Sequence, residues 1–193
     1  MPDSIQSVSY NEAPDALRRE MALLQRRANS NIWRTPDETV PPLHDAALDA
    51  LSFYFCVDGK MVSYAGLVRK TLRHAGQMFK IAGLSGVATD RDYQRRGFGM
   101  RTVAAATRWI EQSDTDFGIF TCDPPLADFY IRAGAWPVVP DVVLVGSRDE
   151  GALCSVALQK VVLLRLFSAK ARAAASKLSY ATIDLDLPVG QFL

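Results

Sequence analysis

One short segment near the middle of the sequence, Gln94-Arg95-Arg96-Gly97-Phe98-Gly99, combines residue types that bind anions. A small, β-leaning run, Ser85–Thr89, precedes it, and a helical pattern over Phe98–Gln112 follows. Backbone N–H groups at a helix start lack intrahelical acceptors, and the helix dipole adds positive charge there. The two glycines let an anion approach the backbone closely, and the two arginines add full positive charges. The segment therefore predicts a site for a phosphate group.

The spacing of the glycines excludes two common phosphate-binding loops. A nucleotide-triphosphatase loop requires Gly-x-x-x-x-Gly-Lys-Ser/Thr, and the sequence contains no Gly-Lys-Ser/Thr. The dinucleotide-binding pattern Gly-x-Gly-x-x-Gly is also absent. What remains is Gln/Arg-x-x-Gly-x-Gly between a strand and a helix. On this motif alone, a glycine-containing helix start with solvated arginines stays open as the alternative.

The elements before this segment predict a helix, a loop and three strands. The helix covers Asp15–Ala28, with one apolar face and one polar face that includes Gln25 and is predicted to be solvated. Trp33–His44 holds three prolines and no periodicity, which indicates a loop. The strands, joined by tight turns into an antiparallel meander, are predicted at Leu51–Val57, Met61–Arg69 and Met78–Thr89.

The elements after the segment predict alternating helices and strands. A buried strand at Phe117–Cys122 is followed by a helix that begins at Pro124-Pro125 and ends at Gly134. The remaining elements are predicted as strands at Val142–Val145, within Ala152–Phe167 and at Tyr180–Leu187, and a short helix from Ser168 to Leu178.

The composition indicates one globular domain over residues 1–193, with 49% apolar and 22% charged residues. A net charge of +1 provides no field that would draw the chain to nucleic acid or a membrane, and neither partner is expected. The cysteines Cys56, Cys122 and Cys154 form no C-x-x-C pair, which predicts reduced thiols in the cytoplasm. Two histidines without clustered ligands predict no metal site. No signal peptide and no membrane span is visible.

Two motifs together resemble the GCN5-related N-acetyltransferase superfamily, which binds acetyl-coenzyme A. The segment Gln94–Gly99 resembles its pyrophosphate loop. Leu126–Trp136 resembles its Ala-x-x-(Phe/Leu)-Tyr-x-(Arg/Lys)-x-Gly-aromatic segment, with Ala135 as one extra residue before the aromatic. The predicted order of elements is also that of the superfamily. The resemblance implies the acyl-CoA N-acyltransferase fold, an α/β (α+β) class with a mixed, mostly antiparallel sheet flanked by helices, and a core at about residues 51–145.

Within the superfamily, the chain looks most like the aminoglycoside 2'-N-acetyltransferases and their bacterial relatives. The shared stretches are Gly86–Thr89, Asp116–Cys122 and Ile183–Pro188. Ser85 stands where those enzymes carry a glutamate, and the chain ends in Gln191-Phe192-Leu193 where they tend to end near a tryptophan. Both places face the substrate in that family, so the resemblance does not extend to the antibiotic.

The resemblance also implies roles for individual residues. The tyrosine at the position of Tyr130 lies beside the coenzyme sulfur in the family and serves as general acid. Val87, Ala88 and Thr89 would offer backbone groups to the pantetheine arm, and one of their N–H groups would stabilise the developing oxyanion. The loop residues would bind the pyrophosphate; they are Gln94, Arg95, Arg96, Gly97, Phe98 and Gly99. Ser85 and Asp123 are the candidates for facing the substrate.

The general base is not assigned by the sequence. The candidates are His44, Asp45, Asp90 and Asp123, and a chain of water molecules is a further alternative. His44 lies in a proline-rich loop, a place more typical of a surface histidine than of a catalytic one. Asp123 follows the buried strand, but Asp-Pro is also an ordinary turn or helix cap.

The resulting hypothesis is direct transfer of an acetyl group from acetyl-CoA to a primary amine of a small molecule. Transfer of a longer acyl chain and a non-catalytic acyl-CoA-binding regulatory module are the alternatives, and a homodimer is left open. Few carboxylates are placed to bind a polycation, although Asp184 and Asp186 are predicted to share one strand face. We therefore expect a substrate with one amine on a neutral or apolar body, and weak or no activity on aminoglycosides.

Overall fold

The computed structural model describes residues 4–28 and 40–193. Its strands are β1 (Gln6–Ser9), β2 (Leu51–Val57), β3 (Lys60–His74), β4 (Gln77–Thr89), β5 (Phe117–Cys122), β6 (Val143–Val145), β7 (Val161–Leu166) and β8 (Thr182–Asp184). Its helices are α1 (Asp15–Ala28), α2 (Phe98–Gln112), α3 (Ala127–Gly134), α4 (Ala169–Ala173) and α5 (Ala175–Leu178). Short 3-10 turns lie at Ala46–Leu48, Arg91–Tyr93 and Pro124–Leu126.

The described strands hydrogen-bond in the order β1-β2-β3-β4-β5-β7, and β6 pairs separately with β8. The pairs β1/β2, β2/β3 and β5/β7 are antiparallel. β4 and β5 are parallel and pair at Ile81↔Phe117 and Ala82↔Gly118. The predicted fold class, a mixed and mostly antiparallel sheet flanked by helices, is confirmed.

The predicted meander is built on two tight turns. Asp58 and Gly59 join β2 to β3 with φ angles of 48° and 81°, and Ala75 and Gly76 join β3 to β4 with 46° and 79°. Two consecutive positive φ values suit the right-handed twist of the strands, which is why Asp-Gly pairs are frequent in such turns. These turns set the length of β4 and bring its end to the predicted phosphate loop.

The chain divides into two compact units, and both contain part of β3 and part of β4. The first unit comprises Met1–Val68 and Leu84–Thr107, and the second comprises Arg69–Gly83 and Arg108–Leu193. A single domain over residues 1–193 stays a prediction. The core of the first unit includes the fully buried Met21, Leu24, Tyr64, Leu67, Val103 and Ala106.

The core of the second unit is built around Trp136, which is 0% exposed. Its ring contacts Phe120 and Phe167 edge to face. A Cβ added to Gly118 would lie 2.4 Å from the Trp136 ring, so β5 needs a glycine where the indole crosses it. The aromatic residue at the end of the second motif therefore serves the core of this unit.

Two predictions about residues of α1 and of the segment around β8 are wrong. Gln25 of α1 is buried and not solvated. β8 ends at Asp184, and Asp186 has a φ of 51°, so the two aspartates do not share a strand face. α3 ends at Gly134 as predicted, and the left-handed residue that follows it is Ala135. The predicted loop Trp33–His44 lies outside the described residues as far as residue 39.

Candidate functional site

A bend at Gly86 shapes the carboxyl end of β4. Gly86 has a φ of 59°, a conformation that costs little energy only for glycine. The side-chain amide of Gln25 on α1 donates to the Gly86 carbonyl. Beyond the bend, Asp90 N–H donates to the Val62 carbonyl at 2.9 Å, and the Ser63 hydroxyl donates to the Ala88 carbonyl at 3.4 Å. The backbone of Val87–Thr89 is thus held between α1 and β3.

The segment after β4 forms a loop that ends at the start of α2. The Gln94 side chain donates to the Thr89 carbonyl at 3.2 Å, and Arg95 and Gly97 have φ angles of 60° and 83°. A Cβ added to Gly97 would meet no atom within 4 Å, so the space beside its backbone is open. Arg95 and Arg96 are exposed. Free N–H groups at the first turn of α2, open space and two cations together fit a bound pyrophosphate.

Aromatic side chains fix the first turn of α2. The Phe98 ring lies 5.0 Å from the Phe55 ring and 6.1 Å from the Tyr93 ring, measured between centroids. The Arg96 guanidinium stacks over Tyr93 at 5.2 Å, and that of Arg101 stacks over Phe55 at 4.6 Å. These contacts hold the helix start, and with it the N–H groups that would contact an anion.

Asp90 is committed to ion pairs. Its carboxylate accepts from Arg27 at 3.0 Å and pairs with Lys60 at 2.9 Å, and the residue is 3% exposed. Burial alone raises the pKa of Asp90, but the Lys60 and Asp92 N–H hydrogen bonds, together with the two cations, bring it below its usual range. A carboxylate held in its charged form by two cations is a poor proton acceptor, so Asp90 does not suit the role of general base.

His44 is buried, which contradicts the expectation of a surface histidine. It is 5% exposed, and its Nε2 lies 2.8 Å from the Tyr64 hydroxyl, which lies 3.0 Å from Ser52 Oγ. Burial lowers the pKa of the His44 imidazole to about 4, so the ring is neutral at neutral pH. His44 also lines a groove of about 840 Å³ in the first unit.

Tyr130 lies on α3 in the second unit, 6% exposed. Its ring packs edge to face against Phe120 and Phe129, with centroids 5.0 Å apart in both pairs. The hydroxyl has no hydrogen-bond partner within residues 4–28 and 40–193. Burial raises the pKa of Tyr130, and the nearby Cys122 and Asp123 raise it further. The phenol is therefore protonated at neutral pH and can act as an acid or a hydrogen-bond donor, but not as a base.

The remaining candidates are occupied by structural contacts. Asp123 pairs with Lys160 at 2.5 Å, and Asp45 caps the Ala46–Leu48 turn by accepting from Ala47 N–H at 2.8 Å. Burial raises the pKa of the Cys122 thiol to about 11, so this residue is a poor nucleophile. Ser85 is half-buried, and its carbonyl packs against Gly66.

The predicted site residues fall into both units. Ser85, Val87–Thr89 and Gln94–Gly99 come together in the first unit, and Asp123 and Tyr130 lie in the second. Sequence reasoning missed Gln25 and the Ser52–Tyr64–His44 chain. A signal for Gln25 existed, because it follows Met21 by four residues and so shares the apolar face of α1. No comparable sequence signal links Ser52, Tyr64 and His44.

Two classes of site find no support in the described part of the chain. No group of three or more His, Cys, Asp or Glu side chains there is arranged to hold a metal ion. No helix there has the length and apolar character needed to span a bilayer.

Comparison with known proteins agrees with this architecture. The sequence profile of the Acetyltransferase (GNAT) family matches residues 18–135, which is more than half of the chain. The match includes the end of β4, the loop, α2 and α3. The chain belongs to the GNAT acetyltransferase family. No curated protein sequence matches it.

Solved structures of low sequence identity share the fold. The ribosomal-protein-S18-alanine N-acetyltransferase of Escherichia coli has a TM-score of 0.53 and 15% identity, over 85% of this chain and 94% of that one. An acyl-CoA N-acyltransferase from Pseudomonas aeruginosa has a TM-score of 0.55 and 14% identity, over 84% and 98%. A conserved Enterococcus faecalis protein of unknown function has a TM-score of 0.55 and 16% identity over 74% of this chain, and the match spans 34% of that protein's length.

Proposed function

We propose that this GNAT family member transfers the acetyl group of acetyl-CoA directly to a primary amine of a small molecule. The observation that carries the proposal is the loop between β4 and α2, where open space beside Gly97, two exposed arginines and a helix start converge. Gln94–Gly99 would hold the pyrophosphate, and the backbone of Val87, Ala88 and Thr89 would hold the pantetheine arm.

Acetyl-CoA supplies a thioester whose thiolate leaves as the amide forms. Holding the two reactants in line contributes several kcal/mol of the acceleration, and this is the task of the loop and of β4. An N–H group of Val87–Thr89 would stabilise negative charge on the carbonyl oxygen, because Gln25 and β3 fix that backbone before the reaction begins. Tyr130 would protonate the departing thiolate, consistent with its protonated, unpaired hydroxyl.

Ser85 and Asp123 are proposed to face the acceptor. Ser85 brings no charge where the aminoglycoside 2'-N-acetyltransferases carry a glutamate, and Asp123 shares its charge with Lys160. Neither residue favours a polycation. We therefore propose that this chain shares the acetyl-transfer chemistry of those antibiotic enzymes but not their aminoglycoside substrates.

Two alternatives predict different results in the same experiment. A longer-chain acyltransferase would release coenzyme A faster from longer acyl-CoA donors than from acetyl-CoA. A non-catalytic acyl-CoA-binding module would bind acetyl-CoA without releasing thiol in the presence of any amine. Both retain the loop, so binding of coenzyme A alone does not separate them from the proposal.

The test combines calorimetry with a thiol-release screen. Acetyl-CoA binding is measured first, and thiol release is then followed with apolar monoamines, amino acids, polyamines and aminoglycosides, with propionyl-CoA and octanoyl-CoA as comparison donors. Turnover of an amine with acetyl-CoA as the preferred donor supports the proposal. Binding without any turnover favours the non-catalytic module, and failure to bind acetyl-CoA refutes the proposal and both alternatives.

A further inference from the structure

The strongest unassigned feature in the described residues is the buried chain of hydroxyls that ends on His44. Ser52 of β2 and Tyr64 of β3 are 0% exposed, and the Tyr64 hydroxyl lies between Ser52 Oγ and His44 Nε2. Burying three polar side chains costs free energy unless they are hydrogen-bonded. A fully hydrogen-bonded group of this kind fixes the orientation of its members. Ser52 and Tyr64 have no route to solvent, so the chain does not conduct protons through the protein. It can instead orient the imidazole.

The other surroundings of His44 are the bend in β4 and a groove. A Cβ added to Gly66 would lie 2.5 Å from His44 Nε2 and 2.9 Å from the Ser85 carbonyl, so only glycine lets the ring reach β4. A Cβ on Gly86 would lie 3.6 Å from His44 Cε1. The histidine also lines the groove of about 840 Å³, together with Tyr10, residues of α1 and the segment Val40–Ala46. His44 thus lies both at a groove and beside Gly86, the residue that precedes the backbone proposed to bind the reacting carbonyl.

We propose that His44 is the general base, taking the proton of the acceptor amine at Nδ1 while Tyr64 and Ser52 hold its tautomer. The inference rests on the proposed function. Nε2–H would donate to the Tyr64 oxygen and Tyr64 would donate to Ser52, which leaves the lone pair on Nδ1. A base oriented by a hydrogen-bonded partner is an arrangement that recurs in general-base catalysis.

The acceptor reacts as its neutral amine, having given the ammonium proton to solvent. The C–N bond forms as the C–S bond breaks, the nitrogen loses a proton to Nδ1 directly or through one water, and the thiolate takes the proton of Tyr130. His44 then releases its proton to water in the groove, and Tyr130 regains one from solvent. The amine nitrogen becomes strongly acidic as it attacks, so a base of low proton affinity suffices.

Several titratable and charged groups surround His44, and no second histidine is among those described below. Tyr10 stands edge to face against the ring, with centroids 5.1 Å apart, and Tyr64 is kept protonated because burial raises its pKa. Arg18 pairs with Asp15 and lies over Tyr10 at 6.0 Å. The charged groups that line the groove are Asp15, Arg18, Arg19 and Asp45.

The first test reads the tautomer directly and needs no substrate. The chain has two histidines, so nitrogen-labelled histidine gives two sets of NMR signals, and His74, whose Nε2 lies 2.8 Å from the Lys177 carbonyl, is the internal reference. At about pH 7, with acetyl-CoA bound, we expect a neutral His44 with the proton on Nε2 and none on Nδ1. A proton on Nδ1 would overturn the proposal, even if acetyl-CoA binds and amines are acetylated.

The second test separates base catalysis from support of the fold. His44→Gln can keep a hydrogen bond to Tyr64 but cannot take a proton, so its kcat should fall about 10²–10⁴-fold with acetyl-CoA affinity unchanged. Added imidazole should raise the kcat of His44→Ala at least about tenfold above its value without imidazole. His74→Ala should have the kcat of the parent. The probe amines are 2-phenylethylamine and hexylamine. Parent-like kcat in His44→Gln would refute the role, and the NMR result decides alone if neither variant folds.

Discussion

At the residue scale, burial sets the protonation state of the groups proposed to move protons. It lowers the pKa of His44 to about 4 and raises that of Tyr130, so the proposed base and the proposed acid are both neutral at neutral pH. Asp90 is equally buried, yet two cations keep it ionised. His44, Tyr130 and Asp90 are buried to a similar degree. The hydrogen-bond and ion-pair partners of each group therefore decide whether it is a proposed proton carrier or a structural ion.

The role of Tyr130 can be tested without disturbing its packing. Tyr130→Phe retains the ring against Phe120 and Phe129 and removes only the hydroxyl. We expect turnover to fall about 10²–10⁴-fold with little change in acetyl-CoA affinity, measured by steady-state kinetics and calorimetry. Tyr54→Phe, which removes the hydroxyl of a buried tyrosine outside the proposed machinery, is the control for nonspecific effects on the fold. Parent-like turnover in Tyr130→Phe would mean that the residue serves only the core.

The lowered pKa of His44 also predicts how stability depends on pH. The folded state holds the imidazole neutral down to about pH 4, whereas the unfolded chain protonates it near pH 6.5. Between pH 4 and 6.5 the unfolded state binds more protons than the folded state. The contribution of His44 to the free energy of unfolding is therefore fully present above pH 6.5, and it falls by roughly 3 kcal/mol as the pH drops towards 4. Urea unfolding at several pH values should show this loss in the parent and in His74→Ala. The loss should be absent in His44→Gln, and an unchanged pH dependence in that variant would contradict the assignment.

At the element scale, α1 holds the two segments of the first unit proposed to contact the coenzyme. Gln25 binds the Gly86 carbonyl at the bend of β4. Arg27 binds Asp90 before the loop and also donates to Glu20 and to the Met61 carbonyl. A helix that is amphipathic in sequence thus contributes polar contacts from its buried side. The geometry of β4 and the loop depends on where α1 packs, and not on their own residues alone.

The loop itself is tested by filling the space beside its backbone. In Gly97→Val, a branched side chain would occupy the proposed pyrophosphate site, and we expect calorimetry to show no acetyl-CoA binding. Gly76→Val is a matched control, because Gly76 has a φ of 79° against 83° for Gly97, and a Cβ at either position meets no atom within 4 Å. Both variants bear the same backbone strain, but only the loop variant should lose the coenzyme. Gly99→Val is expected to lose binding for the same reason, and parent affinity in a folded loop variant would refute the site.

At the scale of the whole molecule, the charges are nearly balanced, and the described carboxylates considered for binding a polycation are engaged by other groups. The net charge is +1, and the carboxylates that might have attracted a polycation have cationic or backbone partners. Asp123 pairs with Lys160, Asp184 with Arg148, and Asp186 with Lys70. Asp37 and Glu38 lie outside the described residues. The pairing strengthens the expectation that the acceptor carries one amine on a neutral or apolar body.

This expectation is tested by comparing substrates of different charge. Apolar monoamines should be acetylated faster than aminoglycosides or polyamines at equal concentration, because Asp123, Asp184 and Asp186 already have cationic partners. Kinetics at two salt concentrations provide a control, since a screened electrostatic attraction would weaken with salt. An aminoglycoside acetylated with kcat/KM above about 10⁴ M⁻¹s⁻¹, the low end for proficient enzymes, would show the inference wrong.

The sequence by itself predicted most of the elements and both motifs, although no pattern in it predicted β1. The bounds of α1, β2, α2 and β5 match their predictions, because periodicity, Asp-Gly turns and capping residues act within a few positions of the chain. The short glycine-rich loop was predictable for the same reason. Its helix start and its left-handed residues are encoded locally.

The tertiary structure alone decided which side chains are buried together. Gln25 and Gly86 are 61 positions apart, and His44 and Tyr64 are 20 apart, so neither hydrogen bond leaves a local pattern in the sequence. The proline-rich surroundings of His44 predicted an exposed side chain. That prediction is wrong because the histidine is buried beside Tyr64 of β3. Protonation states follow from burial and partners, both of which are products of packing. The residue proposed as general base could therefore be singled out only after the chain had folded around it.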